Sequence, residues 1–300
     1  MHPSLTPRQG IDTLAAFTET LLRSTQAAFA SGEITVPPLN WAAAGLLTRH
    51  ETPSLDWLVG AVASDDALAS AVLRIANAPS YQPRWPVVSV GQAATRLGAE
   101  ALAEIALAAS MQTHLFAVPG FENEQRAFWR QALASAVLAK ELSRSCGVAE
   151  AEGFACGLLH EVGTPIALCA TATRCHDLGW APAAPGVREV VLDVARRVAP
   201  LAAATAIDTW ALTSPLAGAI RRHEGAFRVT DSAHATVAHM ATRMAATLYQ
   251  GDGPWRPSYP VALRASAPDR VLRQTTRDPT SDHLEGLGES VRVHVDSLTV

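Results

Sequence analysis

The chain has 300 residues, 48% of them apolar and 17% charged, which excludes general disorder and supplies the core of one large domain or two small ones. Its net charge of -4, from 24 basic and 28 acidic residues, argues against a strong electrostatic footprint for nucleic acid or an anionic membrane. Four cysteines, Cys146, Cys156, Cys169 and Cys175, are too few for a disulfide scaffold and read as the reduced thiols of a cytoplasmic protein.

Residues 1–10 carry Pro3, Pro7 and Arg8 but no apolar run, so they do not read as a leader. The helical period starts next. Ile11, Leu14, Phe17, Leu21, Leu22, Ala28 and Phe29 recur at three- and four-residue steps, with Asp12 and Glu19 opposite. Pro37-Pro38 ends this segment, and a short helix is expected over 39–49. Ser54 is placed to cap a helix through Leu58 and Val62, and Asp65 to cap one through Leu68, Val72 and Ile75. Residues 78–86, with Pro79, Pro83 and Pro86, read as a loop. Ser89 followed by Gln92 predicts a capping box, and Gly98 a left-handed end to that helix. Another helix then runs through Leu102, Ile105 and Met111.

After Pro119-Gly120 a long helix is expected over 124–144, closed by Gly147. Shorter ones follow over 150–159 and 164–172, then a loop with Pro182 and Pro185. Residues 187–198 and 201–211 read as two helices divided at Pro200. Ser214 with Pro215 opens a helix to Arg222, and Asp231 caps one reaching Tyr249. From Gly251 onward prolines dominate, and the alternation Val291, Val293, Val295 fits either a strand or a helix end. No apolar run reaches the ~18 residues of a spanning helix. Trp41, Trp57, Trp85, Trp129 and Trp210 read as core or rim anchors.

The sequence has no Gly-rich phosphate loop, no G-x-S-x-G elbow and no C-x-x-C pair. Cys169, Cys175 and His176 match no structural zinc spacing. Two helix ends each pair an imidazole with a carboxylate, His160-Glu161 and His223-Glu224. These are metal-ligand types, and equally residues that suit helix ends, where a cation meets the negative pole. Arg221 and Arg222 offer an anion contact or a solvated helix face. His234 and His239 are five apart and share no helix face.

Leu158-Leu159-His160-Glu161-Val162-Gly163 resembles the His-Asp signature of the HD phosphohydrolase superfamily. More specifically, the chain resembles the HDOD (HD-related output domain) family of bacterial signalling proteins. The resemblance rests on several segments in series: Pro37-Pro38-Leu39, 54–77 with Asp65-Asp66 and Arg74-Ile75-Ala76-Asn77, 88–102, Phe128-Trp129-Arg130, and Trp210 to Glu224. An active HD phosphohydrolase holds a metal ion with His, His-Asp and a further Asp. Carried onto this chain, the first His is Gln131, the His-Asp pair is His160-Glu161, and a second His falls near Ala199 or Pro200. The later pair is His223-Glu224 and the closing Asp is near Thr242. Gln and Thr are poor ligands for a hydrolytic metal, and Ala and Pro offer none.

The resemblance therefore implies an all-α, HD-like multi-helix bundle. It comprises an N-terminal amphipathic helix (1–30), a single HDOD-type domain (31–250) and a loop-rich C-terminal tail (251–300). It further implies a non-catalytic regulatory module with no metal and no cofactor. That module acts in signal transduction by binding an unidentified signalling protein, or a nucleotide second messenger, in the degenerate site. The candidate site residues are Gln131, His160, Glu161, His223 and Glu224, with Arg221 and Arg222 as an anion contact. The alternatives are a divergent metal-dependent phosphohydrolase acting on nucleotides or phosphate esters, and a nucleotide sensor without chemistry. Neither a membrane nor a nucleic acid is expected as a partner.

Overall fold

Local chemistry sets several of the helix boundaries. The Ser54 hydroxyl accepts a hydrogen bond from the Trp57 amide, and the Asp65 carboxylate accepts one from the Leu68 amide at 3.0 Å. Ser89 accepts from the Gln92 amide, while the Gln92 side chain reaches back to the Val88 amide at 2.9 Å, one residue beyond the target of a standard capping box. These contacts come from a computed structural model, which describes residues 7–39, 41–48, 53–78, 85–115, 118–222, 232–248, 291 and 295.

Among the described residues there are eleven helices and no strand. They are α1 (Pro7–Ala30), α2 (Trp41–Thr48), α3 (Leu55–Ala63), α4 (Asp66–Ala76), α5 (Val90–Leu115), α6 (Glu122–Cys146), α7 (Glu150–Leu159), α8 (Gly163–Asp177), α9 (Val187–Thr209), α10 (Ser214–Arg222) and α11 (Ala233–Leu248). Helices α2, α3 and α4 pack on α5. The centre is α6, flanked by α7 and α11; α8 pairs with α9, and α1 lies across both. The fold class read from the sequence holds.

Four local expectations differ in detail. Gly98 does interrupt α5, but at φ 83° and ψ 169°, an extended mirror-image region open only to glycine, rather than in the left-handed helical one. Pro200 does not divide α9; its ring is exposed, while Ala199 and Ala202 on the same turn are buried. Packing of those alanines outweighs the local cost of proline. Trp129 and Trp210 are buried, yet Trp85 is 78% exposed and is no core anchor. Val291 and Val295 are fully buried, and their helical conformation decides for the helix over the strand. Asp231 and Trp41's side chain lie outside the described residues; the Ser232 hydroxyl accepts from the Ala235 amide at the start of α11.

Polar ties fix segments that lack helical bonds of their own. The Asn77 side-chain amide donates to the Leu73 and Val87 carbonyls and accepts from the Val87 amide, each at 2.8 Å, which joins the end of α4 to the approach to α5. Trp210 Nε1 donates to the Pro37 carbonyl. The Arg174 guanidinium on α8 binds Ser24 of α1 and Glu33 beyond it, and Phe17 meets Trp180 ring to ring at 4.5 Å. At the start of α6, Arg188 donates to both oxygens of buried Glu124 and to the Gly120 carbonyl, with its guanidinium 4.7 Å above Phe121.

Candidate functional site

Glycines let α6 and α7 approach without side chains between them. A Cβ on Gly157 would collide with the Ser135 carbonyl and stand 2.7 Å from the Ala136 Cα; one on Gly153 would stand 2.9 Å from the Ala139 carbonyl. As the chain advances along α7, its partners therefore recede along α6. The same antiparallel register carries the end of α7 to the level of Gln131 and Ala132.

His160 caps that end, with its side chain fully buried. Its Nδ1 lies 2.5 Å from the Gly157 carbonyl, and since a carbonyl can only accept, Nδ1 carries the proton. Nε2 then faces the Glu161 carboxylate, 3.9 Å away, and Glu161 is itself buried. The Gln131 side-chain amide, also buried, donates at 3.1 Å to the backbone carbonyl of Thr242 on α11. The Thr242 hydroxyl is turned back onto the Ala238 carbonyl. On the other side, the Ala199 carbonyl lies so close to Gly163 that no Cβ fits there.

The structure thus joins Gln131 to Thr242 and sets Ala199 against Gly163, beside His160 and Glu161, while the α6–α7 register brings the level of Gln131 to the same turn. Sequence reading missed His239. It is buried on α11, three residues before Thr242 and so on the same side of that helix. The signal was its spacing from Thr242, not its spacing from His234, whose Nε2 instead pairs with Glu152 at 2.9 Å. His223, Glu224 and the Arg222 side chain lie outside the described residues. Arg221 is exposed and faces Asp208 at 3.6 Å, a surface pair of little energetic weight.

These residues do not fit a hydrolytic metal ion. Among the described residues, no group of three or more His, Cys, Asp or Glu converges. Gln131 spends its amide on a backbone carbonyl, and Ala199 has no donor atom. The cysteines add none: burial pushes the Cys156 thiol up to about 12, with the Glu152 charge adding to it, and burial pushes Cys175 up to about 11. The unfolded chain gives up the Cys156 proton near the ordinary value of 9, while the folded one keeps it to about 12. Stability is therefore expected to fall as pH rises between these values, by about 1.4 kcal/mol per pH unit for this thiol. Urea denaturation of wild type and Cys156→Ala at pH 8 and 10 checks this; equal slopes in both proteins would contradict it.

One stretch, Glu150–Asp177, is apolar enough by composition to cross a membrane, and 83% of its most apolar window is buried inside the fold. Among functionally curated proteins, none matches this chain in sequence. The HDOD domain family model matches residues 38–226. Solved structures share the fold. An HDOD domain protein of unknown function from Geobacter sulfurreducens is 19% identical with a TM-score of 0.61, over 93% of this chain and 98% of that one. A protein from Shewanella amazonensis SB2B, provisionally named a metal-dependent phosphohydrolase, is 16% identical with a TM-score of 0.62, over 93% and 99%. A protein from Marinobacter aquaeolei VT8, provisionally named a signal transduction protein, is 19% identical with a TM-score of 0.63, over 95% of this chain and 66% of that one. At these identities the likeness speaks for the fold alone.

Proposed function

Because this chain belongs to the HDOD family, we propose that it is a non-catalytic regulatory module of bacterial signal transduction in the cytoplasm. It acts by binding a signalling protein or a small nucleotide ligand at the degenerate cleft around His160. The observation that carries this reading is the hydrogen bond from Gln131 to the Thr242 carbonyl. It joins the two helices from which the family's metal ligands would come. A hydrolytic metal lowers the pKa of a bound water and clamps a phosphate, which requires donors that converge on it. Here the α6 and α11 positions bind each other. The buried His160–Glu161 pair remains as a polar feature suited to recognition.

The test is metal content of freshly purified protein by elemental mass spectrometry, for wild type and for the His160→Ala/His223→Ala double variant. No stoichiometric Mn, Fe, Ni or Zn is expected in either. Near-stoichiometric metal in the wild type, lost in the variant, would overturn the reading and return the divergent phosphohydrolase.

A further inference from the structure

A cavity lies at the opposite end of α7 from His160, ten residues or about 15 Å along the helix. It holds about 360 Å³ between α2, α5, the start of α7 and α10. Its floor is apolar, formed in large part by the buried side chains of Leu47, Leu107, Phe154 and Leu216. Among the described residues, every charged one lining it is a carboxylate: Glu100 and Glu104 from α5, Glu150 and Glu152 from α7.

The carboxylates form an acidic lip where α5 and α7 meet. Glu100 and Glu104 stand one helical turn apart on α5, Glu150 and Glu152 open α7, and the Glu100 and Glu150 side chains meet. Cations hold these groups from outside the groove. Lys140 binds Glu100 at 2.9 Å and Glu104 at 2.7 Å, Arg144 binds Glu150 at 2.6 Å, and His234 meets Glu152. Three of the four carboxylates thus share Lys140 and Arg144. Burial raises the pKa of Glu104 despite its bond to Lys140, so a further cation there would find an under-compensated charge.

We propose that this groove docks a basic amphipathic helix of a partner protein. An apolar stripe fills the floor, and lysines or arginines beside the stripe meet the carboxylate lip. An apolar floor with an acidic lip beside it matches that pattern of side chains. The inference goes beyond the cleft around His160 and stands whatever that cleft binds.

The probe is a fluorescent 18-residue peptide with leucines at positions i, i+3, i+4 and i+7 of each turn pair and lysines elsewhere, titrated into the full chain. Controls are the same peptide with glutamates for lysines, and one of identical composition in scrambled order. The lysine peptide is expected to bind saturably and the other two not. Glu100→Gln/Glu152→Gln is expected to weaken binding about tenfold, the sum of two exposed ion pairs near the upper end of their range. Both positions are partly solvated, and an unchanged thermal melt confirms that the variant folds. No saturable binding overturns the proposal. So does equal binding by the scrambled peptide, which signals charge attraction alone, or unchanged affinity in the folded variant, which places the peptide elsewhere. Binding of spermidine that the peptide cannot displace would make the occupant a small amine and overturn it as well. None of these outcomes touches the metal measurement on the His160 cleft.

Discussion

Arg188→Met is expected to cost about 3–5 kcal/mol in urea or guanidinium unfolding, the typical loss when a buried pair loses one partner. The Glu124 side chain is only 1% exposed, and both its oxygens are held by the Arg188 guanidinium. Removing the cation strands a carboxylate that water cannot reach. It also frees the Gly120 carbonyl and uncovers Phe121. The double variant Glu124→Leu/Arg188→Met is expected to recover most of the loss, because no charge is then left buried. A loss below about 1 kcal/mol in the single variant would mean that the pair behaves like an exposed one.

Gly157→Ala is expected to destabilise by about 1–3 kcal/mol, the range for an overpacked core. The added methyl meets the backbone of Ser135 and Ala136, which cannot rotate aside, so α7 must move away from α6. His160 moves with it. The same substitution at Gly60 is expected to have the opposite sign. Gly60 lies exposed inside α3 with nothing near its missing Cβ, and alanine there is expected to stabilise by about 0.5–1 kcal/mol. Thermal and urea denaturation of both variants decide the matter. Destabilisation at Gly60 or neutrality at Gly157 would contradict the packing described.

What could be read in the sequence was what short-range chemistry determines. Ser54, Asp65 and Ser89 cap because their oxygens reach amides three residues on. Gly147 ends α6 in the left-handed region for the same local reason. Pro200 misled because its local cost is set against burial of Ala199 and Ala202, which depends on where α8 lies. In the site, the family register carried Gln131 and Thr242 to corresponding positions, and the structure joins them directly. His239 was passed over because it was weighed against His234 rather than against Thr242. The acidic groove was not legible at all. Its lip and floor come from four helices, and nothing in any one of them announces the others.

The tie between Gln131 and Thr242 spans 111 residues of chain. Helix α6 therefore leaves the ribosome long before the helix that covers its far side. At roughly 5–20 residues per second, the apolar face of α6 meant for α11 waits on the order of 5–20 s for its partner. Closing so long a loop also defers that contact in refolding, since its entropic cost falls due before the packing can repay it. The nascent chain thus passes through a stage in which α6 and α7 are paired but their shared face is bare. That stage is where a chaperone would have most to hold, and where a truncation before residue 233 would leave the chain.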